Sequence, residues 1–109
     1  MSNFRNRTQL VGHLGEDPVI KTLENGSKVA TFSLATNDSY TTAKGDKVES
    51  TEWHNVAVWG KQADIVETYV TKGKQIGIVG KLTHRTYEDK EGIKRNFTEV
   101  KASEVQLLG

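Results

Sequence analysis

Apolar and polar residues alternate with a period of two along most of this chain, and the alternation is interrupted once, late. Such a pattern commits a chain to half-buried strands, because only extended backbone sends successive side chains to opposite faces. Residues 4–14 read as a first strand ending in Val11-Gly12-His13-Leu14-Gly15, and Gly15-Glu16-Asp17-Pro18 reads as a turn. Residues 19–23 predict a short strand closed by Asn25-Gly26, a pair suited to a tight hairpin turn. In 28–37, Ala30, Phe32 and Leu34 share one face and Thr31, Ser33 and Asn37 the other. Residues 38–50 are polar, with Gly45-Asp46 as the tip of a long hairpin loop or arm without a core of its own. Residues 51–59 are the next strand. The period then changes: over 61–72, Ala63, Val66 and Val70 form one helical stripe flanked by Ile65 and Tyr69. Lys72 falls in the last turn of that helix and Gly73 is its stop. Residues 74–88 return to a strand, 89–92 turn, and 93–107 form the last strand, with a bulge or break near Ala102-Ser103.

One helix set late among about five strands suits a small Greek-key barrel better than a sandwich. The expected class is all-β: an OB-fold, a five-stranded Greek-key barrel with one helix between strands 3 and 4, as a single domain over 1–109. Ten Gly and one Pro agree with a turn-rich fold, and 35% apolar residues allow only a small core. Cysteine is absent, which excludes disulfides, thiolate metal sites and thiol nucleophiles. No stretch approaches the roughly 20 apolar residues of a membrane span, and no signal segment opens the chain, so a cytoplasmic location is expected. The net charge is +1, from 15 Lys+Arg and 14 Asp+Glu. That balance excludes a uniformly basic coat but leaves room for a local basic stripe.

Strand faces carry the functional signal. In 51–59, Val56 and Val58 point one way, so Trp53, Asn55, Ala57 and Trp59 point the other. Both tryptophans of the chain therefore stand opposite the valines, in a protein with few apolar residues to cover two indoles. The bland alternative is one Trp plugging the barrel end and one ordinary surface aromatic. After the helix, Ile76, Ile78 and Leu82 are in phase and are expected in the core. Lys81, Thr83, Arg85 and Tyr87 are in the opposite phase. That second series alone would pass as a solvated face; beside the Trp face it does not. Tyr40 adds an aromatic in a loop too polar to bury it. Arg5, Arg7, Lys61, Lys72 and Lys74 are cations near element ends. Aromatic plates with cations between them suit a single-stranded nucleic acid, whose bases stack on rings while Lys and Arg track phosphates.

Other patterns carry no chemistry. Gly12-x-x-Gly15 imitates a backbone clamp but ends a strand before a turn. Gly60-Lys61 and Gly73-Lys74 lack the glycine spacing and hydroxyl of a phosphate loop. His13, His54 and His84 have no metal-ligand spacing, and the paired carboxylates sit at turns. No nucleophile motif occurs. The expectation is a binding protein, not an enzyme, with no metal and no cofactor.

The blocks Asn6–Pro18, Ala30–Thr36, Thr51–Lys61, Tyr69–Gly73 and Ile78–Leu82 together resemble the bacterial single-stranded DNA-binding protein family, SSB, in register along essentially the whole chain. The resemblance implies an OB-fold that assembles as a homotetramer and coats single-stranded DNA in replication, recombination and repair, in the bacterial cytoplasm at the nucleoid. It implies that Trp53 is a base-stacking residue, that Trp59 stands where the family often has Phe, and that Tyr40 and Tyr87 stand where some members have Trp. Lys61, Lys72 and Arg85 match phosphate-contacting cations, and Arg5, Arg7 and Lys81 join them from the reading of the faces. His54 matches a histidine at a subunit contact. Leu10 belongs to the first strand, an edge that could pair with a second copy. Typical members continue into a disordered Gly/Pro/Gln-rich tail ending in an acidic peptide that recruits replication and repair proteins. This chain stops at Leu107-Leu108-Gly109, where the folded domain is expected to stop, either as a shortened chain or as a naturally short member, so recruitment of replication and repair proteins through that tail is left open. Two other readings stay open: a primosomal or RNA-binding OB module, which a DNA-over-RNA binding ratio separates, and an OB scaffold whose tryptophans are capped by a partner protein.

Overall fold

The computed structural model describes residues 5–108; Phe4, placed by the sequence at the start of the first strand, lies outside them. Six strands and one helix follow in chain order: β1 (Thr8–Leu14), β2 (Val19–Thr22), β3 (Lys28–Thr41), β4 (Lys47–Trp59), α1 (Lys61–Tyr69), β5 (Gln75–Glu88) and β6 (Lys94–Leu107). The sheet order is β1-β5-β6-β4-β3-β2, and a further β1–β3 pairing closes the first five of these into a barrel. Strand β2 is a hairpin extension on β3, turned at Gly26 with φ 86°. Counting barrel strands only, the helix falls between the third and the fourth, as expected for an OB-fold.

Closure rests on two short contacts. β1 meets β3 at His13–Ala35 and Leu14–Leu34. β4 meets β6 in parallel over Val56–Val100, Ala57–Lys101 and Val58–Ala102. The core lies inside this ring: Ala30, Leu34, Val56, Val58, Ile76 and Ile78 are essentially solvent-free. The helical stripe Ala63, Val66 and Val70 packs into the same cluster. Gly60, at φ 67°, makes the sharp turn from β4 into the helix, a conformation that suits glycine. Lys28 bonds Glu67 (2.7 Å) and Asp64 (3.4 Å), tying β3 to the helix. Those two carboxylates, Glu67 foremost, raise the Lys28 ammonium above its ordinary range.

Several boundaries differ from the sequence reading. β1 starts at Thr8, because the segment before it pairs through a side chain: Asn6 Nδ2 donates to Leu82 O (2.9 Å), and Leu82 N–H donates to Asn6 Oδ1 (2.8 Å). A carboxamide thus continues the ladder with β5. The helix ends at Tyr69 with Val70 already extended, so Lys72 lies in the following turn, where its N–H donates to Asp17 Oδ1 (2.7 Å). Of the two forms expected for the polar segment 38–50, hairpin loop or arm, the structure shows the arm. Pairing of β3 with β4 runs on to Thr41–Lys47, leaving only a short tip at Gly45. The β5–β6 hairpin is extended in the same way, to Glu88–Lys94. Leu82 is 39% exposed and not in the core, because β5 has by then left the barrel for that arm. These arms raise the radius of gyration to 16.0 Å, against about 13 Å for a compact chain of about a hundred residues. The expected break in β6 is present: Val79 pairs with Glu104 and Gly80 with Ala102, so Ser103 is the extra residue of a bulge.

Two glycines test the packing. A Cβ on Gly12 would stand 2.1 Å from Ala35 O, where β1 crosses β3, whereas one on Gly77 meets nothing closer than 3.6 Å. Gly12→Ala is expected to cost about 2–4 kcal/mol or prevent folding, and Gly77→Ala to stay within about 0.5 kcal/mol. Urea titration of the two variants checks the contrast, and equal midpoints would refute this account of closure.

Candidate nucleic-acid interface

On β4 the alternation resolves as expected on one side: Val56 and Val58 are buried while Trp53 is 60% and Trp59 37% exposed. Ala57 shares the outer face yet is covered. It is a single methyl between Thr31 of β3 and Lys101 of β6, and longer neighbours overtop it. Trp53 is exposed but held. A Cβ on Gly15 would fall 2.5 Å from Trp53 Cζ3, so the indole lies directly against the β1–β2 turn. Only a residue without a side chain leaves it that resting place.

The β5–β6 arm continues this face. Register pairs Lys81 with Lys101, Thr83 with Glu99, Arg85 with Phe97 and Tyr87 with Arg95. Directly opposed residues share a face, so β6 adds Lys101, Phe97 and Arg95 to the series expected on β5. None of the three was singled out from sequence. The signal was available: the parity test that separates Val56 from Trp53 also separates the buried Val100 and Ala102 from Phe97 and Lys101. Two cations already rest on rings. Arg85 Cζ lies 4.7 Å from the Phe97 centroid and Lys101 Nζ 4.8 Å from the Trp59 centroid, within range for attraction by the π-face.

Two open grooves organise the surface. A groove of about 370 Å³ has Arg7, Trp59, Lys81 and Lys101 on its walls, which brings together three residues expected from sequence and one that was not. A cleft of about 360 Å³ separates the arms and is lined by Trp53, Asn55, Phe97 and Glu99, among others. Tyr87 is half-exposed far out on the β5–β6 arm. Tyr40 is 59% exposed but sits on a strand, paired with Val48. Its register is that of the core-facing residues of β3, so it does not share the Trp face. Lys61 opens the helix just after Trp59-Gly60, and it and Lys72 are exposed without lining either groove. Arg5 is exposed ahead of β1.

The two assembly residues are placed differently from the DNA-facing set. Leu10 is half-buried and packs against the barrel core, while its neighbour Val11 is 48% exposed. His54 is half-buried on the core-side parity, its Nε2 3.0 Å from Thr36 Oγ1.

Arg95 is already engaged at the arm's tip, where its Nε donates to Asp89 Oδ2 at 2.9 Å. Asp89 Oδ1 accepts from the N–H groups of Glu91 and Ile93. The Arg95 guanidinium, followed by the Ile93 N–H, holds the Asp89 carboxyl below its ordinary 3.8. Its contribution to the hairpin tip is complete above the unfolded carboxyl range and is lost as pH falls through the lowered folded value. A carboxyl-carbon NMR titration should give Asp89 a midpoint below 3.8. A midpoint at or above that value would remove this bond network from the solution structure.

A family model described as the single-strand binding protein family matches residues 5–108. The single-stranded DNA-binding protein 1 of Chlorobaculum tepidum is 40% identical over 110 residues, covering 100% of this chain and 68% of that protein. The corresponding protein 1 of Xylella fastidiosa is 45% identical over 105 residues, covering 95% and 77%. Among solved structures, Plasmodium falciparum SSB in complex with ssDNA matches with a TM-score of 0.90 at 30% identity, over 100% of this chain and 99% of that one. A deletion mutant of the single-stranded DNA binding protein from Thermus aquaticus matches with a TM-score of 0.83 at 28% identity, over 95% of this chain and 50% of that one. The fold is thus that of an OB-type single-strand binding protein. The chain belongs to the single-strand binding protein family.

Proposed function

We propose that this chain binds single-stranded DNA without regard to base sequence and protects strands exposed during replication, recombination and repair. The observation that carries this reading is the single outer face on which Trp53 and Trp59 are exposed with Arg7, Lys81, Arg85 and Lys101 among them. Every base offers a π-face, so stacking on these rings is blind to sequence. A duplex hides its bases from them. Trp53, Trp59 and Tyr87 are the stacking residues, and Tyr40 meets the strand only where it passes the other side of the β3–β4 arm. Arg7, Lys81 and Arg85 take phosphates, with Arg5, Lys61 and Lys72 extending the path at the element ends. The near-neutral net charge is no obstacle, since part of the acidic charge, Asp64 and Glu67, is turned to Lys28 beside the helix.

Oligo(dT) should quench most of the Trp emission. Trp53→Ala and Trp59→Ala should each weaken binding by about 1–3 kcal/mol, the range known for aromatic platforms on single-strand binding OB-folds. Trp53→Ala should leave folding stability nearly unchanged. Alanine at Lys81 or Arg85 should flatten the log affinity–log salt slope by up to about 0.7. Absence of quenching, together with salt-independent affinity, would sink this reading in favour of a protein-binding scaffold.

A second reading concerns assembly. β1 is hydrogen-bonded to β5 over Thr8–His13 but to β3 only at its last two residues. Among the described residues no strand covers the other edge of residues 8–11. An open edge of this kind pairs readily with a second copy about a two-fold axis, and the family resemblance extends this to a tetramer with His54 near a contact. Val11→Asp should lower the mass seen by light scattering and weaken binding mainly to long strands. Leu10→Asp is the poorer probe, because Leu10 packs on the core and its loss would unfold the barrel first. A wild-type mass near 12.1 kDa at micromolar concentration would refute the assembly while leaving the binding proposal intact.

A further inference from the structure

The parallel seam between β4 and β6 stops abruptly. Val56 faces Val100, but no pairing precedes it, and the two strands diverge into separate arms. The aromatic side chains of Trp53 and Phe97 both line the cleft of about 360 Å³ that opens where the two strands part. The floor is fixed, because Asn55 Nδ2 donates to Thr98 O across the gap (3.4 Å). Both walls are held. Trp53 lies against Gly15, and the Phe97 ring is covered by Arg85 at 4.7 Å. Phe97 is only half-buried although it contributes nothing to the core cluster.

Resting on the single-strand reading above, we infer that Phe97 is a base-contact residue. It forms, with Trp53, a two-walled slot that takes one unstacked base of the strand. Arg85, stacked on Phe97, sits beside the slot with its N–H groups available to the phosphate of the same nucleotide. A slot between two adjacent strands needs their hydrogen bonds to be absent, and the early end of the seam provides that. A paired base cannot enter, so the slot adds to the preference for single strands. Phe97 thus acts through the base and Arg85 through the backbone, which gives each a separate signature.

The test uses the full chain and fluorescein-labelled dT oligomers, read by anisotropy, beside an abasic oligomer of the same phosphate count. Phe97→Leu should weaken dT binding at least about five-fold, the lower end of what one base–aromatic stack supplies. It should change abasic binding by less than two-fold and leave the salt slope as it was. Arg85→Ala should weaken both ligands and flatten the slope. A second measurement guards against a folding defect: Phe97→Trp in a Trp53→Phe, Trp59→Phe background makes position 97 the sole tryptophan, and oligo(dT) should quench it. Phe97→Leu losses equal for the dT and abasic oligomers, or an unquenched tryptophan at 97 in a chain that still binds, would overturn the slot while sparing the wider reading. Failure of the wild-type chain to bind oligo(dT) at all would remove both.

Discussion

The three-pair parallel seam between β4 and β6 is the contact on which the rest of the molecule depends. It closes the sheet, and closure is what lets so few apolar residues form a core. Val56, Val58, Val100 and Ala102 all belong to the seam and all face inward. Because the seam is short, the strands on either side of it are free to leave the barrel. They do so as two long hairpins whose own backbone groups are paired, so projection into water costs no unsatisfied hydrogen bonds. The arms and the cleft between them follow from where the seam ends.

That geometry also decides which aromatics remain in water. The inside of this barrel is filled by aliphatic side chains and Phe32. Trp53 and Trp59 are kept out of it by parity, and among the described residues no second layer covers the outer face of β4 at Trp53. Exposed indoles are costly unless something restrains or uses them. Here Gly15 and Lys101 restrain one each. Glu99 shares the face and Glu104 lines the groove beside Trp59, but Arg7, Lys81, Arg85 and Lys101 outnumber them. Asp64 and Glu67 are committed to Lys28, and Asp89 is engaged by Arg95 and two backbone N–H groups at the far tip of an arm. A locally cationic aromatic surface thus exists on a protein with a net charge of +1.

Much of this was legible in the residues. The period-two pattern gave each strand, its inward set and both outward tryptophans. The change of period marked the helix, and the stripe Ala63, Val66 and Val70 is the face it buries. The bulge at Ser103 could be anticipated from the mismatch of apolar positions in 93–107. Errors clustered where a local rule met a non-local contact. Leu82 is in perfect phase with Ile76 and Ile78, but phase says only which face a residue takes, not whether anything stands opposite. Tyr40, read as an aromatic in a loop, sits instead on a strand, paired with Val48 on the parity opposite to the tryptophans. The polar run 38–50, expected as a hairpin loop or arm without a core, is an arm that backbone pairing alone sustains.

What the sequence by itself determined is the alternation: two faces, one of them apolar, with one amphipathic helix to plug the end. Those are consequences of backbone geometry acting residue by residue, and no distant contact can alter them without exposing the core. What only the tertiary structure decided is adjacency across strands. Phe97 beside Arg85, Lys101 over Trp59, and Trp53 with Phe97 on one cleft join residues far apart in the chain. Each pairing is set by register and by the point at which β4 and β6 part, and register is fixed by the packing of the whole barrel rather than by any local run of residues.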